Sequence, residues 1–493
     1  MSSPTPPAIE QAPAVRHPGA LQVFLCVAGF MTFLDVSIVN VALPTIESDL
    51  GIPQSQLQYV VTAYGMVLGG FLLLCGRLAD YFGRRLMLQI GLVLFALSSL
   101  LAGFAQDAVT LIAARGIQGF GAAFMATAAL SLLTNAFAEG PERNRALGAW
   151  GALSGIAAVV GVVLSGLLTD GPGWRWIFFI NVPVGLLTAA IAPLLVPESR
   201  AAERPKTFDT AGAILLTAGL LLLIYALGQS VNESGSRWAS VEVIGSLAAA
   251  AALLLAFLAN ERRSRSPLIP FGVFRLRSLQ TANMITVLLL GTVVPLFFFA
   301  SLFMQQVMGY SPTAAGLAYL PLATTTAIGA GIASNLVTRM SAKPVLLAGL
   351  ALATTGLLLL WRLPAGGSYA TDILPAFVLI GTGLGLSFVP VQIAAFAGVE
   401  EKEFGGLAAG LINTSQEAGG AVGLAIVASI AFYQLSELVA QTGDDPGLAR
   451  AAREGAFHDA FLTAAGFLVV AFVVTLLRLP ALKLLERAND TVA

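Results

Sequence analysis

Residues 76–85 read GRLADYFGRR: three arginines and one aspartate between two apolar runs, 57–76 and 86–105. Either run is long enough to cross about 30 Å of hydrocarbon as a helix. In lipid a backbone must satisfy its own hydrogen bonds, so a bundle of helices is expected. Between the runs, Gly76 and Gly83 allow close approach, and Asp80 can pair with Arg84 or Arg85. Arginines crowded at a membrane boundary mark its cytoplasmic side. The turn thus points to both the class of protein and its orientation.

The same alternation continues along the whole chain. Of 493 residues, 57% are hydrophobic and 11% charged, with a mean hydropathy of +0.84. Soluble domains carry about 25% charged residues. Fourteen spans are predicted, at 20–45, 57–76, 86–105, 108–135, 145–169, 174–196, 209–229, 240–260, 278–304, 311–335, 342–361, 370–396, 404–434 and 457–479. An even number puts both termini on one side. Alternate loops, counted from the N-terminus, hold twenty of the 26 lysines and arginines; the opposite loops hold five, and Arg115 lies inside a span. Both termini are therefore expected in the cytoplasm, with the chain in a plasma (inner) membrane.

The loop after span 1 (LGIPQSQLQYV) aligns with the loop after span 9 (MGYSPTAAGLAYL), Gly51 falling on Gly309 at an offset of 258. Arg85 and Lys343 share that offset, while Gly119 and Gly121 match Gly383 and Gly385 at 264. The pattern predicts an all-α polytopic protein of two duplicated six-helix bundles, at 20–200 and 266–479. Two inserted helices and linkers (201–265) separate them, and tails at 1–19 and 480–493 complete the chain. Internally repeated membrane bundles are typical of transporters whose substrate site lies near mid-membrane. Cys26 and Cys75 fall inside spans and give no disulfide framework.

Several chemistries are excluded. There is no GxxxxGK[ST] phosphate loop, and no His/Cys/carboxylate set has metal spacing. The two histidines, His17 and His458, are peripheral, so a Ser–His–Asp hydrolase is not expected. The chain reads as no enzyme and as needing no cofactor. Uphill work would then fall to an ion gradient.

From Ala20 to Cys75 there is no lysine or arginine, and the carboxylates are Asp35, Glu47 and Asp49. Asp35 stands alone in LDVSIVNVALP (34–44). At ~1.5 Å per residue it lies about 21 Å from the inner end near Leu21, and Arg115 lies about 10 Å below the outer surface; the two depths agree. A mid-membrane aspartate costs about 2.5–3.5 kcal/mol on insertion scales and usually faces the bundle interior. Burial favours the neutral carboxyl and a neighbouring guanidinium the ionised one. If that balance changes with conformation, Asp35 is a proton site; otherwise it and Arg115 form a static pair. Glu417, in GLINTSQEAGGAVG, reads as a second proton site, a counter-charge for a cationic substrate, or a neutral interhelical hydrogen bond. Candidate substrate contacts are Asn40, Gln118, Asn413, Gln416 and Glu417. Trp174 and Trp176 fit an outer aromatic belt, FFFA (297–300) and Met304 fit core or lipid packing or the lining of an apolar pocket, and Asp209 reads as a helix start. Residues 437–457 form the longest outer loop. The basic run 261–278 suits an anionic leaflet and calls for no nucleic acid.

Here a resemblance becomes specific. GRLADYFGRR looks like the signature loop of the major facilitator superfamily, and LIAARGIQGFGAA (111–123) resembles its fourth-helix motif. LDVSIVNVALP resembles the first-helix motif of the fourteen-helix drug:proton antiporter branch, which WRWIFFINVPVG, GYSPTAAGLAYLP and GLINTSQEAGG also fit. The matches extend from residue 34 to about 425. The resemblance implies two six-helix bundles rocking to give alternating access, with Asp80, Arg84 and Arg85 gating the cytoplasmic side. It implies proton coupling through Asp35 and Arg115, and export of hydrophobic, often cationic compounds by what is expected to be a monomer among membrane lipids. One departure stands out. Span 5 of the family carries a Gly-Pro step and a Gly-Gly pair, whereas this chain reads GIAAVVGVVLSGLL, with Val162 and Ser165 in place of the proline and one glycine. Gly155, Gly161 and Gly166 still permit close packing. The lost kink leaves room for a looser coupling and lipid-like or self-made amphiphile substrates.

Overall fold

The computed structural model describes residues 18–136, 150, 156–157, 160–198, 209–229, 231–232, 235–264, 276–364, 366–396, 401–442 and 446–480. Gly155, 1–17 and 481–493 lie outside them; the first helix begins at Pro18, two residues inside the expected N-terminal tail. The described chain is helical apart from a two-residue ladder, Val231–Asn232 against Gly235–Ser236. In order come α1 (Pro18–Leu50), α2 (Gln54–Phe82), α3 (Arg84–Gly103), α4 (Ala108–Ala136), α5 (Val160–Asp170), α6 (Trp176–Phe179), α7 (Asn181–Leu195), α8 (Thr210–Gly228) and α9 (Val241–Arg263). They continue with α10 (Arg277–Leu302), α11 (Pro312–Ala318), α12 (Leu320–Arg339), α13 (Ala342–Trp361), α14 (Leu374–Phe396), α15 (Glu401–Thr442) and α16 (Pro446–Arg478). Wide π turns extend α10 (Phe303–Val307) and open α14 (Tyr369–Ile373). Among the described residues, eleven helical segments are long and apolar enough to cross a membrane.

Several helices outrun the apolar pattern, because helix propensity does not stop where hydropathy does. The expected loop 437–457 is mostly helix: α15 continues to Thr442, and α16 restarts at Pro446. Pro446 has the fixed φ and missing N–H that suit a first helical position.

The helices form two groups with an inserted hairpin. In the first, α1, α2 and α3 pack on α4, and α7 packs on α3. In the second, α12 and α13 pack on α14, while α10, α15 and α16 pack on one another. Glycines set the tightest crossings. A Cβ at Gly121 would lie 2.8 Å from Phe95 N and 3.0 Å from Gly91 O, and one at Gly119 would lie 3.1 Å from the Tyr64 carbonyl carbon. The second group repeats this with Gly383 against Gly349 O and Gly381 against Leu322. Tyr64 and Leu322, like Gly91 and Gly349, are 258 positions apart, but the span-4 glycines correspond at 262 (Gly119 with Gly381, Gly121 with Gly383). The offset of 264 read from the sequence is therefore corrected. A Gly-x-Gly-x-Gly run (381–385) permits a two-residue slip that only the packing partners resolve.

The α8–α9 hairpin lies against α2 and α15. Thr217 Oγ1 donates to Gly70 O at 2.6 Å, and Leu223 packs with Met66, Ala421 and Ala425. Asp209 begins α8 as expected, accepting from Gly212 N at 2.8 Å; it also accepts from Asn260 Nδ2 of α9 at 2.8 and 2.9 Å.

Candidate functional site: a buried carboxylate cluster beside the seam

Asp35 projects from the middle of α1 into the first helix group and has no exposed surface. Arg115 of α4, 1% exposed, forms an ion pair with its Oδ2 through Nη1. The same guanidinium donates from Nη1 to Gln118 Oε1 at 2.6 Å and from Nε to Val60 O of α2 at 2.9 Å. Gln118 lies one turn further along α4. Its Nε2 donates to Asp35 Oδ1 at 2.7 Å and to Ser99 Oγ of α3 at 2.8 Å. Asn181 of α7 adds a donor to Asp35 Oδ1 at 3.4 Å. The Tyr64 ring lies 4.5 Å from the guanidinium carbon and that of Phe178 5.8 Å, both within cation–π range. The Tyr64 hydroxyl donates to Thr32 O at 3.2 Å, back on α1. Five helices thus contribute polar groups to a dry site around one carboxylate. A buried charge persists only when paired and hydrogen-bonded.

Three members of this cluster were not singled out in the sequence: Asn181, Ser99 and Tyr64. Asn181 carried a signal, being the polar residue inside the apolar run WIFFINVPVG. Ser99 and Tyr64 carried none, since either residue type is common inside helices. Gln118, expected to touch substrate, is instead fully buried and engaged with Asp35, Arg115 and Ser99.

The repeat has no second copy of this chemistry. At the displacements set by packing, Asp35 corresponds to Val293 and Arg115 to Phe377. An aromatic pile stands there: Phe297 stacks on Tyr319 at 5.0 Å, and Tyr319 on Phe377 at 5.3 Å. The Tyr319 hydroxyl donates to Phe297 O at 2.9 Å. Phe298, Phe299 and Met304 are core, as expected.

Glu417 sits on α15 where it crosses α2. A Cβ at Gly69 would lie 2.6 Å from Glu417 Cβ, and one at Gly65 would lie 3.5 Å from its Oε2. It forms no ion pair among the described residues. Asn413 and Gln416, on the same helix, are half-buried. Asn40 is buried, its Nδ2 turned back to Val36 O at 2.9 Å. Asn40 and the α15 residues therefore lie on opposite sides of the seam between the helix groups, and Gln118 is apart from both.

In the 76–85 loop, Gly83 has φ +119°, and a Cβ there would lie 2.6 Å from Glu198 Oε1. Gly76 meets only ordinary contacts, 3.8 Å from Thr127. The Asp80 side chain lies outside the described residues. Arg85 faces Glu198, just beyond α7: its backbone N donates to Oε1 at 3.2 Å, and Nε lies 3.5 Å from Oε2. Arg85 Nη1 also donates to Val196 O at 3.3 Å. Glu198 was missed, because a carboxylate at a helix end reads as an ordinary solvated residue.

At the opposite end, Trp174 does not join an aromatic belt. It is 3% exposed, and its Nε1 donates to Asp49 Oδ2 at 3.0 Å, beside Arg175 Nη1 at 2.7 Å. Trp176 is half exposed, as a belt residue would be. This end also holds the seam. A Cβ at Gly166 of α5 would lie 2.7 Å from Thr313 Cα of α11, and Thr313 N donates to Asp170 Oδ2 at 2.8 Å. Gly161 packs instead within its own group, 3.2 Å from Ile38 N. Gln306 Nε2 donates to Glu47 Oε2 at 2.8 Å.

The description "Major Facilitator Superfamily" matches residues 25–424. The chain is 37% identical to the puromycin resistance protein pur8 of Streptomyces alboniger, covering 96% of this chain and 91% of that one. It is also 37% identical to the cephamycin export protein CmcT of Amycolatopsis lactamdurans, covering 95% and 93%. The solved structure of a bacterial homolog to the human lysosomal transporter Spinster, inward-facing and occupied, superposes with TM-score 0.67 at 14% identity, over 96% and 98% of the two chains. That likeness concerns the fold alone. The chain belongs to the Major Facilitator Superfamily and is a multi-pass membrane transporter.

Proposed function

We propose that this protein exports hydrophobic, often cationic drugs or antibiotics across the inner membrane in exchange for protons, by alternating access. The observation that carries the reading is the Asp35–Arg115 pair. It is a buried carboxylate with three polar partners, Arg115, Gln118 and Asn181, set on the helix that also lines the seam between groups. Relatives named for puromycin resistance and cephamycin export support the substrate class. In this reading fourteen spans form bundles at 20–200 and 266–479, with an insert at 201–265 and cytoplasmic termini. The protein works as a monomer among lipids, with no catalysis and no cofactor.

The bonds at the Glu47, Asp170 and Gln306 end join the two groups there, so in this reading the outer gate is closed. A proton arriving from outside neutralises Asp35 and weakens its hold on Arg115. Arg115 keeps Val60 O and Gln118 as partners, so loss of the ion pair does not strand the guanidinium. Inside, a cationic substrate near Glu417, Asn413 and Gln416 favours proton release, and the Gly83, Arg84 and Arg85 loop, pinned by Glu198, sets the cytoplasmic gate. In vesicles with an imposed pH gradient, Asp35→Asn protein is expected to lose gradient-driven drug movement. Undiminished movement would end the assignment.

A second reading, export of a lipid-like amphiphile with loose coupling, is favoured by Val162 and Ser165. Ser165 is fully buried with no partner for its hydroxyl among the described residues, and Val162 O faces Gly316 of α11. Proton release from purified protein on drug addition supports antiport; its absence supports the second reading.

A further inference from the structure

Pro44 lies inside α1. A proline has no N–H, so the carbonyl four residues earlier, that of Asn40, has no intrahelical donor. A buried carbonyl without a partner is costly, and native structures rarely leave one so. Here the donor comes from the other helix group. Ser301 Oγ of α10 donates to Asn40 O at 3.0 Å, and Gln305 Nε2 donates to the neighbouring Val41 O at 2.9 Å. Gln305 Nε2 also donates to Ser301 Oγ at 2.9 Å, so the two side chains act as one unit. Gln305 lies in the π turn Phe303–Val307, whose wider winding brings Gln305 and Gln306 both onto α1. Ser301 has no exposed surface and Asn40 4%. Pro193 in α7 shows the same need met internally: Gln89 Nε2 of α3 donates to the freed Ala189 O at 3.1 Å.

From this we infer that Pro44, Ser301 and Gln305 form the latch that holds the outer gate shut. The inference rests on the alternating-access reading. Pro44 creates an acceptor in one bundle that only the closed seam satisfies from the other. Opening the outer gate removes both donors and leaves Asn40 O to water. The latch is a stored difference between the two states, placed five residues along α1 from Asp35. These are positioning residues for the cycle, with no contact to the carried molecule required.

The test measures distances between spin labels at Gln106→Cys and Gly366→Cys. These exposed positions lie on the outer loops of the two groups, and the background has Cys26 and Cys75 replaced by alanine. With Pro44 present, Ser301→Ala or Gln305→Ala is expected to raise the open-to-closed ratio about three- to ten-fold, the worth of one or two neutral hydrogen bonds. Pro44→Ala restores the N–H at position 44. In that background Ser301→Ala is expected to change the ratio less than two-fold. Equal shifts in both backgrounds, or no shift in either while two populations are present, would overturn the latch and leave alternating access standing. One fixed distance in every variant, at every pH and drug concentration, would remove both.

Discussion

Asp35 and Arg115 form a unit whose behaviour depends on shape as well as charge. The Arg115 guanidinium uses Nη1 toward Asp35 and Gln118 and Nε toward Val60 O, while its flat face meets the Tyr64 ring. A lysine keeps the charge but lacks the planar fork. Arg115→Lys is therefore expected to lose the bond to Val60 O or the one to Gln118. Charge-assisted hydrogen bonds contribute about 1.5–3 kcal/mol each, so export should fall about ten-fold or more while the protein still inserts. Vesicle transport with normal protein yield checks this; wild-type transport would show the fork to be dispensable. Much of this site could be read from the sequence, because helical rise alone sets Asp35 and Arg115 at one depth. The role of Gln118 could not. Its position three residues after Arg115 brings it near the pair, but whether its amide turned toward the pair or the seam depended on Ser99, a residue without any distinguishing pattern.

Among the helices, small residues decide how closely backbones approach. Gly121 sits where α4 crosses α3, and any Cβ there meets backbone atoms rather than a yielding side chain. Overpacking of this kind typically costs about 1–3 kcal/mol. Gly121→Val is expected to lower thermal stability in detergent, whereas the same change at Gly245, which has open space around it, should not. Equal midpoints for the two variants would refute the packing argument. The repeat was visible in the sequence through Gly51 and Gly309. The register of its fourth helices was not, since a ladder of glycines at every second position offers two equivalent alignments until Gly91 and Gly349 are seen as partners. Helix ends were misjudged for a related reason: at 437–457 polar residues signalled departure from the membrane, not the end of the helix.

For the molecule as a whole, the decisive contacts are those between helix groups at the end away from Arg84 and Arg85. Glu47 and Gln306 meet there directly. In a cysteine-free background, Glu47→Cys with Gln306→Cys, bridged by a cleavable thiol crosslinker, is expected to abolish export. Reductant should restore most of it. Full export with the bridge intact would mean that this end never has to open.

The α8–α9 hairpin has a consequence of its own. It touches α2 on one side and α15 on the other, through Gly70, Met66, Ala421 and Ala425. It lies along that joint like the spine of a book. A molecule dissolved in the bilayer would meet a wall on the spine side.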